Sequence, residues 1–413
     1  MRTVALDVHK GKVVLCEVSQ GAVVARATAR DLDGLARWLG PEAPPAAVAF
    51  EAGRTAWHLH DRLAAWGHAP LILDTTRIRM IGVGQHRRKN DAIDAEVMAR
   101  ALDRGYVHAA HVLSPRRRAL RALLATRWGF VSARTQFINV VRGQAQSEGV
   151  ELPACDADEF ARHARAAAWS PASRARLEAM VEAVAQLTRS IHDATERLHE
   201  ACRGEPVVAL LATVPYVGLI GAATFVAAVD DAGRFRDAHA VASYLGLVPS
   251  EHTSNGPPRL GAITKAGNIW ARVALTEAAW GILGKGDAAD PLTAWGRAVA
   301  ERRHKCVAAV AIARRLAGVL WAMWKYDRPY DPARLAAASG EGLATQAERT
   351  AALGDAIVDG AGAAAQRERQ LEAARKKLRK SFVARRTTRG GTAAARKAAA
   401  VTKTTTGGAA TKR

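Results

Sequence analysis

The chain has 413 residues, a formal net charge of +21 and a hydrophobic fraction of 49%. This length is sufficient for two or three domains with separate cores, and no run approaches the roughly 18 apolar residues of a membrane span. The four cysteines are scattered without metal-ligand spacing, which argues against a disulfide framework or a zinc site. A strand pattern begins almost at the first residue, so no signal peptide is expected. We therefore predict a cytoplasmic protein without a membrane segment.

The positive charge is concentrated at the C-terminal end of the chain. Residues 367–413 contain 15 Lys or Arg and two acidic residues, which leaves a surplus of only +8 for the rest of the sequence. A tail of this composition, rich in Ala, Thr, Gly and basic residues, is predicted to be disordered. We expect it to bind nucleic acid through phosphate contacts, with a purely solubilising appendage as the alternative.

The N-terminal third has the pattern of a mixed α/β domain. Three strand-like segments come first, and the second and third are separated by Gln20-Gly21, which predicts a tight hairpin turn. A helix capped by Asp31, a strand, a second helix and a further strand follow. The predicted order is β-β-β-α-β-α-β, followed by helices.

Four acidic residues are expected to meet in this domain. Asp7 lies in a strand that would be central, and Glu51 ends the strand expected beside it. Asp91 and Asp94 open a later helix and share one of its faces, although a simple helix start is the structural alternative. Buried carboxylates need cationic partners, and a pair of Mg²⁺ ions would suit a ligand set made of oxygen atoms alone.

The segments LDVHK, FEAG and KNDAIDA carry these four acids. Together they resemble the RuvC-like DEDD domain of the ribonuclease-H superfamily. More narrowly they resemble the transposases of insertion-sequence family one-ten, also called bridge-RNA-guided serine recombinases, over about residues 1–330. The resemblance implies that Asp7, Glu51, Asp91 and Asp94 bind Mg²⁺, with Mn²⁺ as a substitute.

The middle of the chain is predicted to be a helical connector. Residues 114–153 form a long helical region with an apolar face and many arginines, a density that fits a helix lying along a phosphate backbone. The arginines expected on its basic face are Arg116, Arg117, Arg118, Arg121, Arg127, Arg134 and Arg142. Residues 174–202 have a coiled-coil-like pattern, so we expect this helix to pair with another helix or another subunit.

A glycine-rich polar loop separates two predicted helices, one from Asp237 to Leu245 and one that begins near Asn268. YLGLVP, a serine before a glycine, and ITKAGNIWAR are similar to the transposase-20 domain of the same family. The resemblance implies that the loop serine attacks a phosphodiester and becomes covalently linked to DNA. That residue is Ser254 here. Because Asn255 separates it from the glycine, Ser250 and Thr253 remain alternatives.

These observations predict a DNA transposase or site-specific recombinase that uses Ser254 together with Mg²⁺ on the four acids. The resemblance implies a structured guide RNA and a homo-oligomer, either a dimer or a tetramer. A metal-dependent junction nuclease without serine chemistry is the first alternative, and a non-enzymatic chromosome-binding protein is the second. The predicted domains are a RuvC-like domain, a basic helical connector, a transposase-20 domain and a tail, at residues 1–112, 113–203, 204–331 and 332–413.

Overall fold

A computed structural model describes residues 2–74, 91–251 and 259–333 of the chain. The protein divides into two compact units, the first ending at Leu113 and the second beginning at Ser114. Ser254 and the tail beyond residue 333 lie outside the described residues.

The first unit contains a five-stranded mixed sheet in the order β3-β2-β1-β4-β5. Its strands are β1 (Arg2–His9), β2 (Lys12–Ser19), β3 (Ala22–Ala29), β4 (Ala46–Glu51) and β5 (Ala69–Leu73). The first three strands are antiparallel neighbours, whereas β1, β4 and β5 run parallel. The predicted order of elements and the central position of the first strand are confirmed.

Local sequence explains how these strands are connected. Gln20 and Gly21 both have positive φ angles, 50° and 76°, as the predicted two-residue hairpin turn requires. The carboxylate of Asp31 accepts a hydrogen bond from the Gly34 amide at 2.7 Å, which caps the first helix as expected.

In the described part of the first unit, which omits residues 75–90, three helices cover the two faces of the sheet. They are α1 (Leu32–Leu39), α2 (Ala56–Ala65) and α3 (Asp91–Asp103). Leu6 and Phe50 pack with leucines of α1 and α2 on one face. Ala5 and Ala49 pack with Ala95, Met98 and Ala99 of α3 on the other face. Because side chains alternate along a strand, Asp7 and Glu51 belong to the face covered by α3.

The second unit is mainly helical, which confirms the predicted change from an α/β region to a helical one. The helices are α4 (Pro115–Ser147), α5 (Phe160–Ala166), α6 (Pro171–Ala201), α7 (Pro206–Leu211), α8 (Gly218–Val229), α9 (Ala238–Tyr244), α10 (Ile269–Lys285), α11 (Pro291–Arg302) and α12 (Lys305–Lys325). Two short antiparallel strands, β6 (Pro249–Glu251) and β7 (Leu260–Ile263), interrupt them. The sequence predicted only a loop at this hairpin, because its strands are very short and contain proline and glycine.

The two long helices of the connector, α4 and α6, pack against each other in antiparallel directions. Arg127 Nε donates to Thr195 Oγ1 at 2.9 Å, and Arg134 Nη1 lies 3.2 Å from Thr188 Oγ1 farther along the pair. At the C-terminal end of α4, the Glu148 carboxylate forms an ion pair with Arg176 of α6. The expected pairing of the second helix with another helix therefore occurs within the chain, and pairing with another subunit remains a prediction.

The arginines of α4 do not form the single solvent-facing basic surface that the sequence predicted. Arg117 is buried and forms an ion pair with Glu205, while Arg134 binds Asp158. Arg142 lies over the ring of Phe160. The prediction was wrong for these residues because their acidic and aromatic partners are distant in the sequence.

Helix α12 is a long and largely apolar helix of the second unit. It is long and apolar enough to cross a membrane, but 67% of its most apolar window is buried inside the protein. Its side chains, including Leu316, Leu320 and Trp321, belong to the main hydrophobic cluster of this unit. This burial is typical of a core helix.

Breaking the Arg117–Glu205 pair is expected to destabilise the second unit. Glu205 is 5% exposed and its Oε1 lies 2.7 Å from Arg117 Nη1. Because Glu205→Ala leaves a buried guanidinium without its carboxylate, we expect a loss of about 3 kcal/mol in the free energy of unfolding, measured with urea. The double variant Arg117→Met, Glu205→Leu should recover most of that loss. A single-variant cost below about 1 kcal/mol would show that the pair is effectively solvated.

Candidate active site

The end of β1 and the first turn of α3 bring acidic side chains together. Asp7 is 9% exposed and Asp94 is 7% exposed, so both carboxylates are buried. Asp91, one turn earlier on the same helix, is half-buried. Ligand atoms of Asp7, His9 and Asp91 all lie within 4.8 Å of one another. This acidic cluster is the strongest candidate metal centre among the described residues.

Two basic side chains lie against the acidic cluster. His9 Nε2 is 3.0 Å from Asp7 Oδ2 and 3.3 Å from Asp91 Oδ1. Lys12 Nζ donates to Asp91 Oδ2 at 3.1 Å. The sequence predicted oxygen ligands alone and placed neither residue at the metal centre. The hairpin register was the available signal, because it pairs His9 with Lys12 directly beyond Asp7.

The electrostatics of Asp7 explain why cations gather here. Burial raises the pKa of the Asp7 carboxyl above its ordinary value, and the nearby charges of Asp91 and Asp94 raise it further. The hydrogen bond and charge of His9 act in the opposite direction. The ionised form of Asp7 is therefore disfavoured unless a positive charge lies beside it.

Glu51 occupies the expected place on the neighbouring strand. Leu6 of β1 is in register with Phe50 of β4, so Asp7 and Glu51 follow at the same level of two parallel strands. Both residues belong to the face covered by α3. The Glu51 side chain is exposed, and it is not part of the close group formed by Asp7, His9 and Asp91. The structure thus brings together Asp7, Asp91 and Asp94, with Glu51 beside them at the carboxyl end of β4.

The donor set fits a divalent cation. Carboxylate oxygens are preferred by Mg²⁺ and Mn²⁺, and a partly buried group of negative charges is stabilised by such an ion. Asp7 and Asp91 would hold the ion most directly, because their oxygens share one neighbour, the His9 imidazole. His9 would then either join the ligands or move aside.

The second predicted site is the serine loop, which we define as residues 252–258. Ser254 and Thr253 lie outside the described residues, so their positions stay predictions. The loop is connected to the fold by the β6–β7 hairpin, in which Glu251 pairs with Leu260. Ser250, the other alternative nucleophile, lies on β6 and directs its hydroxyl at Gly261 of the partner strand, where a Cβ would meet Ser250 Oγ at 2.6 Å.

The two chain segments at the base of this hairpin cross at a backbone-to-backbone contact. Gly246 and Gly267 have φ angles of +70° and +74°, and a Cβ on Gly267 would lie 2.0 Å from the Tyr244 carbonyl oxygen. Arg272 strengthens the crossing by donating hydrogen bonds to the carbonyls of Leu245 and Ala266. The glycines of YLG and KAGN are therefore required by the close approach and by the positive φ angles.

Metal binding should be detectable as thermal stabilisation that depends on Asp7. We expect Mg²⁺ or Mn²⁺ to raise the melting temperature of the wild type, because a ligand that binds the folded state stabilises it. Asp7→Asn should abolish the shift. Glu96→Gln is the matched control on the same helix, since Glu96 binds Arg100 at 2.8 Å and also pairs with Arg26. An equal metal shift in Asp7→Asn and the wild type would rule out this centre.

The glycine crossing should tolerate no side chain. Gly267→Ala combines a clash with the Tyr244 carbonyl and a left-handed backbone, so we expect it to lower the free energy of unfolding by at least about 2 kcal/mol. Gly129→Ala, in the middle of α4 with open space around it, should instead be neutral or stabilising by up to about 1 kcal/mol. Urea unfolding of both variants provides the comparison. Similar stabilities for the two would contradict the crossing.

Known transposase families match two segments of the chain. A DEDD-type model described as "Transposase" matches residues 4–147, and a model described as "Transposase IS116/IS110/IS902 family" matches residues 208–290. The first match spans the acidic cluster and the second spans the serine loop.

Curated relatives are similar over most of the chain. A "Probable family 20 transposase" of Pseudomonas aeruginosa is 28% identical over 301 residues, which cover 70% of this chain and 87% of the relative. The "Transposase for insertion sequence element IS1111A" of Coxiella burnetii is 28% identical over 59% of this chain and 68% of its own length. The two matched segments together cover more than half of the 413 residues, and the chain belongs to the IS116/IS110/IS902 family of transposases.

Proposed function

We propose that this transposase cuts and rejoins DNA strands by a transesterification that requires both predicted sites. Ser254 is the nucleophile, and Asp7, Glu51, Asp91 and Asp94 bind the divalent cation, Mg²⁺ or Mn²⁺. The observation that carries the proposal is the acidic cluster, in which Asp7 and Asp91 both lie against the His9 imidazole. The family membership of the chain supports the choice of DNA as the substrate.

The chemistry assigns a separate task to each group. The Ser254 hydroxyl attacks phosphorus, loses its proton and forms a phosphoserine bond as the deoxyribose oxygen leaves with a proton. Rejoining reverses these steps with a hydroxyl of another DNA end. A bound divalent cation would stabilise the charge that develops on the phosphate. Asp7 and Asp91 bind that cation, and Lys12 holds the Asp91 carboxylate in place.

The wider organisation of the chain is part of the same proposal. Residues 1–112 carry the metal site, residues 113–203 form the connector, residues 204–331 carry the serine loop, and residues 332–413 form the tail. A structured RNA pairs with donor and target DNA, and the protein acts in the cytoplasm as a homo-oligomer. The overall charge of +21 supports a polyanionic partner, and the family resemblance supports the RNA.

The alternative function is that of a metal-dependent DNA junction nuclease, and the acidic cluster is the observation that favours it. Such an enzyme would hydrolyse the phosphodiester with water activated at the metal, without any covalent intermediate. The serine loop would then be structural. The two functions differ in one measurable product, which is DNA covalently bound to the protein.

The deciding experiment combines purified protein, Mg²⁺, DNA with the joined ends of the element, and RNA transcribed from its flanks. On a denaturing gel we expect a protein–DNA adduct that is lost in Ser254→Ala and reduced by at least about 100-fold in Asp7→Asn. Omitting the RNA should also remove the adduct if the RNA guides the reaction.

Two control variants make the result specific. Ser250→Ala replaces the strand serine, and Glu96→Gln removes an acid of α3 that binds arginines; both should retain the adduct. Cleavage without an adduct, lost in Asp7→Asn but retained in Ser254→Ala, would establish the junction nuclease instead. Loss of the adduct in Ser250→Ala alone would move the nucleophile to that residue.

A further inference from the structure

A cavity of about 700 Å³ lies beside the β6–β7 hairpin in the second unit. Helices α9, α11 and α12 form its walls, and Pro249, Gly261, Ala262 and Ile263 of the hairpin close one side. The volume is in the range of cavities that bind small organic ligands. The metal and serine chemistry described above makes no use of this cavity.

The walls of the cavity are apolar and its charged groups are all basic. Alanines, valines and a tryptophan provide most of the surface, for example Ala242, Ala311 and Trp295. His239, Arg314 and Arg315 supply the polar groups, and none of the described residues that line the cavity is acidic. A ligand with a flat apolar body and a negative charge is complementary to such a surface.

Two arginines of α12 are held in defined orientations. Arg315 stacks on Trp295, with its guanidinium carbon 4.5 Å from the ring centroid. Arg314 Nη2 lies 3.2 Å from His239 Nδ1, so its hydrogen-bond partner is an imidazole rather than a carboxylate. Burial lowers the pKa of the Arg314 guanidinium, which means that burial disfavours its charge. An anion bound beside Arg314 would offset this cost.

The cavity adjoins the strands that carry the serine loop. Pro249 lies three residues before the loop begins, and Gly261 lies three residues after it ends. A DNA strand held by the serine loop would therefore pass close to the opening. A phosphate alone needs no apolar cavity, whereas a nucleobase turned out of the stack needs one.

We propose that this cavity binds one unstacked nucleobase of the DNA strand held at the serine loop, with Arg314 contacting the adjacent phosphate. The inference rests on the proposed function, since it assumes that the serine loop engages DNA. The apolar walls receive the two faces of the base, and the Arg314 guanidinium, oriented by His239, neutralises the phosphate. The ligand chemistry is that of a nucleoside monophosphate, within a strand or free.

Cys306 provides a local reporter for this binding. It lines the cavity and is exposed, whereas Cys16 and Cys202 are buried. Burial raises the pKa of Cys202 to about 11, so that thiol stays protonated and unreactive at neutral pH. Alkylation of Cys306 in the full chain can be followed by mass spectrometry of its peptide, with Cys155 as the internal reference.

The probe is a single-stranded oligonucleotide, compared with an abasic deoxyribose–phosphate oligomer of the same length and with free dAMP. We expect the oligonucleotide to slow alkylation of Cys306 by about tenfold, the effect of roughly 90% occupancy. The abasic oligomer has the same charge but no bases, so it should give little protection. Protection by dAMP at higher concentration would show that a free nucleotide also enters. Failure of dAMP to protect would restrict the site to bases within a strand.

Matched variants separate the cavity from general DNA binding. Ala311→Phe fills the cavity from a half-exposed position on α12, and Ala298→Phe adds the same side chain on the exposed surface of α11. Arg314→Ala is compared with Arg302→Ala, an exposed arginine outside the cavity lining. Ala311→Phe and Arg314→Ala should remove protection of Cys306, and the two control variants should retain it.

The outcome is independent of covalent chemistry, because the assay is repeated in Ser254→Ala. Protection that survives in Ser254→Ala supports the cavity whether or not the adduct experiment succeeds. Equal protection by the abasic oligomer, or unchanged protection in Ala311→Phe, would overturn the proposal and leave only backbone binding. Absence of any protection, while the oligonucleotide binds by fluorescence anisotropy, would overturn it as well.

Discussion

Three carboxylates cannot lie close together in a partly buried site unless positive charge is placed among them, and the first unit is arranged around this constraint. Asp7 comes from a central strand, while Asp91 and Asp94 come from a helix that packs on the same face. The hairpin between β1 and β2 supplies His9 and Lys12 at the point where the acids meet. The fold thus places basic side chains of its own against these carboxylates, where a divalent metal ion would compete with them.

The sequence was sufficient for the parts of the site that depend on local periodicity. The strand pattern placed Asp7 in a central strand and Glu51 at the end of the strand beside it, and three-residue spacing placed Asp91 and Asp94 on one side of α3. It was insufficient for His9, whose role depends on a register between two strands and on a helix 80 residues away. The prediction that the arginines of α4 form one basic surface was wrong for a similar reason. Glu205 is 88 residues from Arg117, and no local pattern indicates such a pair.

The hydrophobic core of the second unit lies apart from the segments proposed to act on DNA. Its core is formed by α8, α10 and α12, whose buried alanines and leucines fill one hydrophobic cluster. The hairpin that carries the serine loop stands at the edge of this core, beside the basic cavity. Binding residues can therefore be added on the hairpin and on the exposed side of α12 without disturbing the packing below them.

Because the crossing of Gly246 and Gly267 fixes the ends of the serine loop, the length of the loop should have little effect on the stability of the fold. The ends of the loop are joined by β6 and β7, and the crossing below them fixes their separation. The entropy of closing a loop grows only with the logarithm of its length, at about 0.6 kcal/mol for each doubling. Insertions or deletions between residues 252 and 258 are therefore inexpensive in stability. The length of this segment can therefore change during evolution while the crossing stays the same.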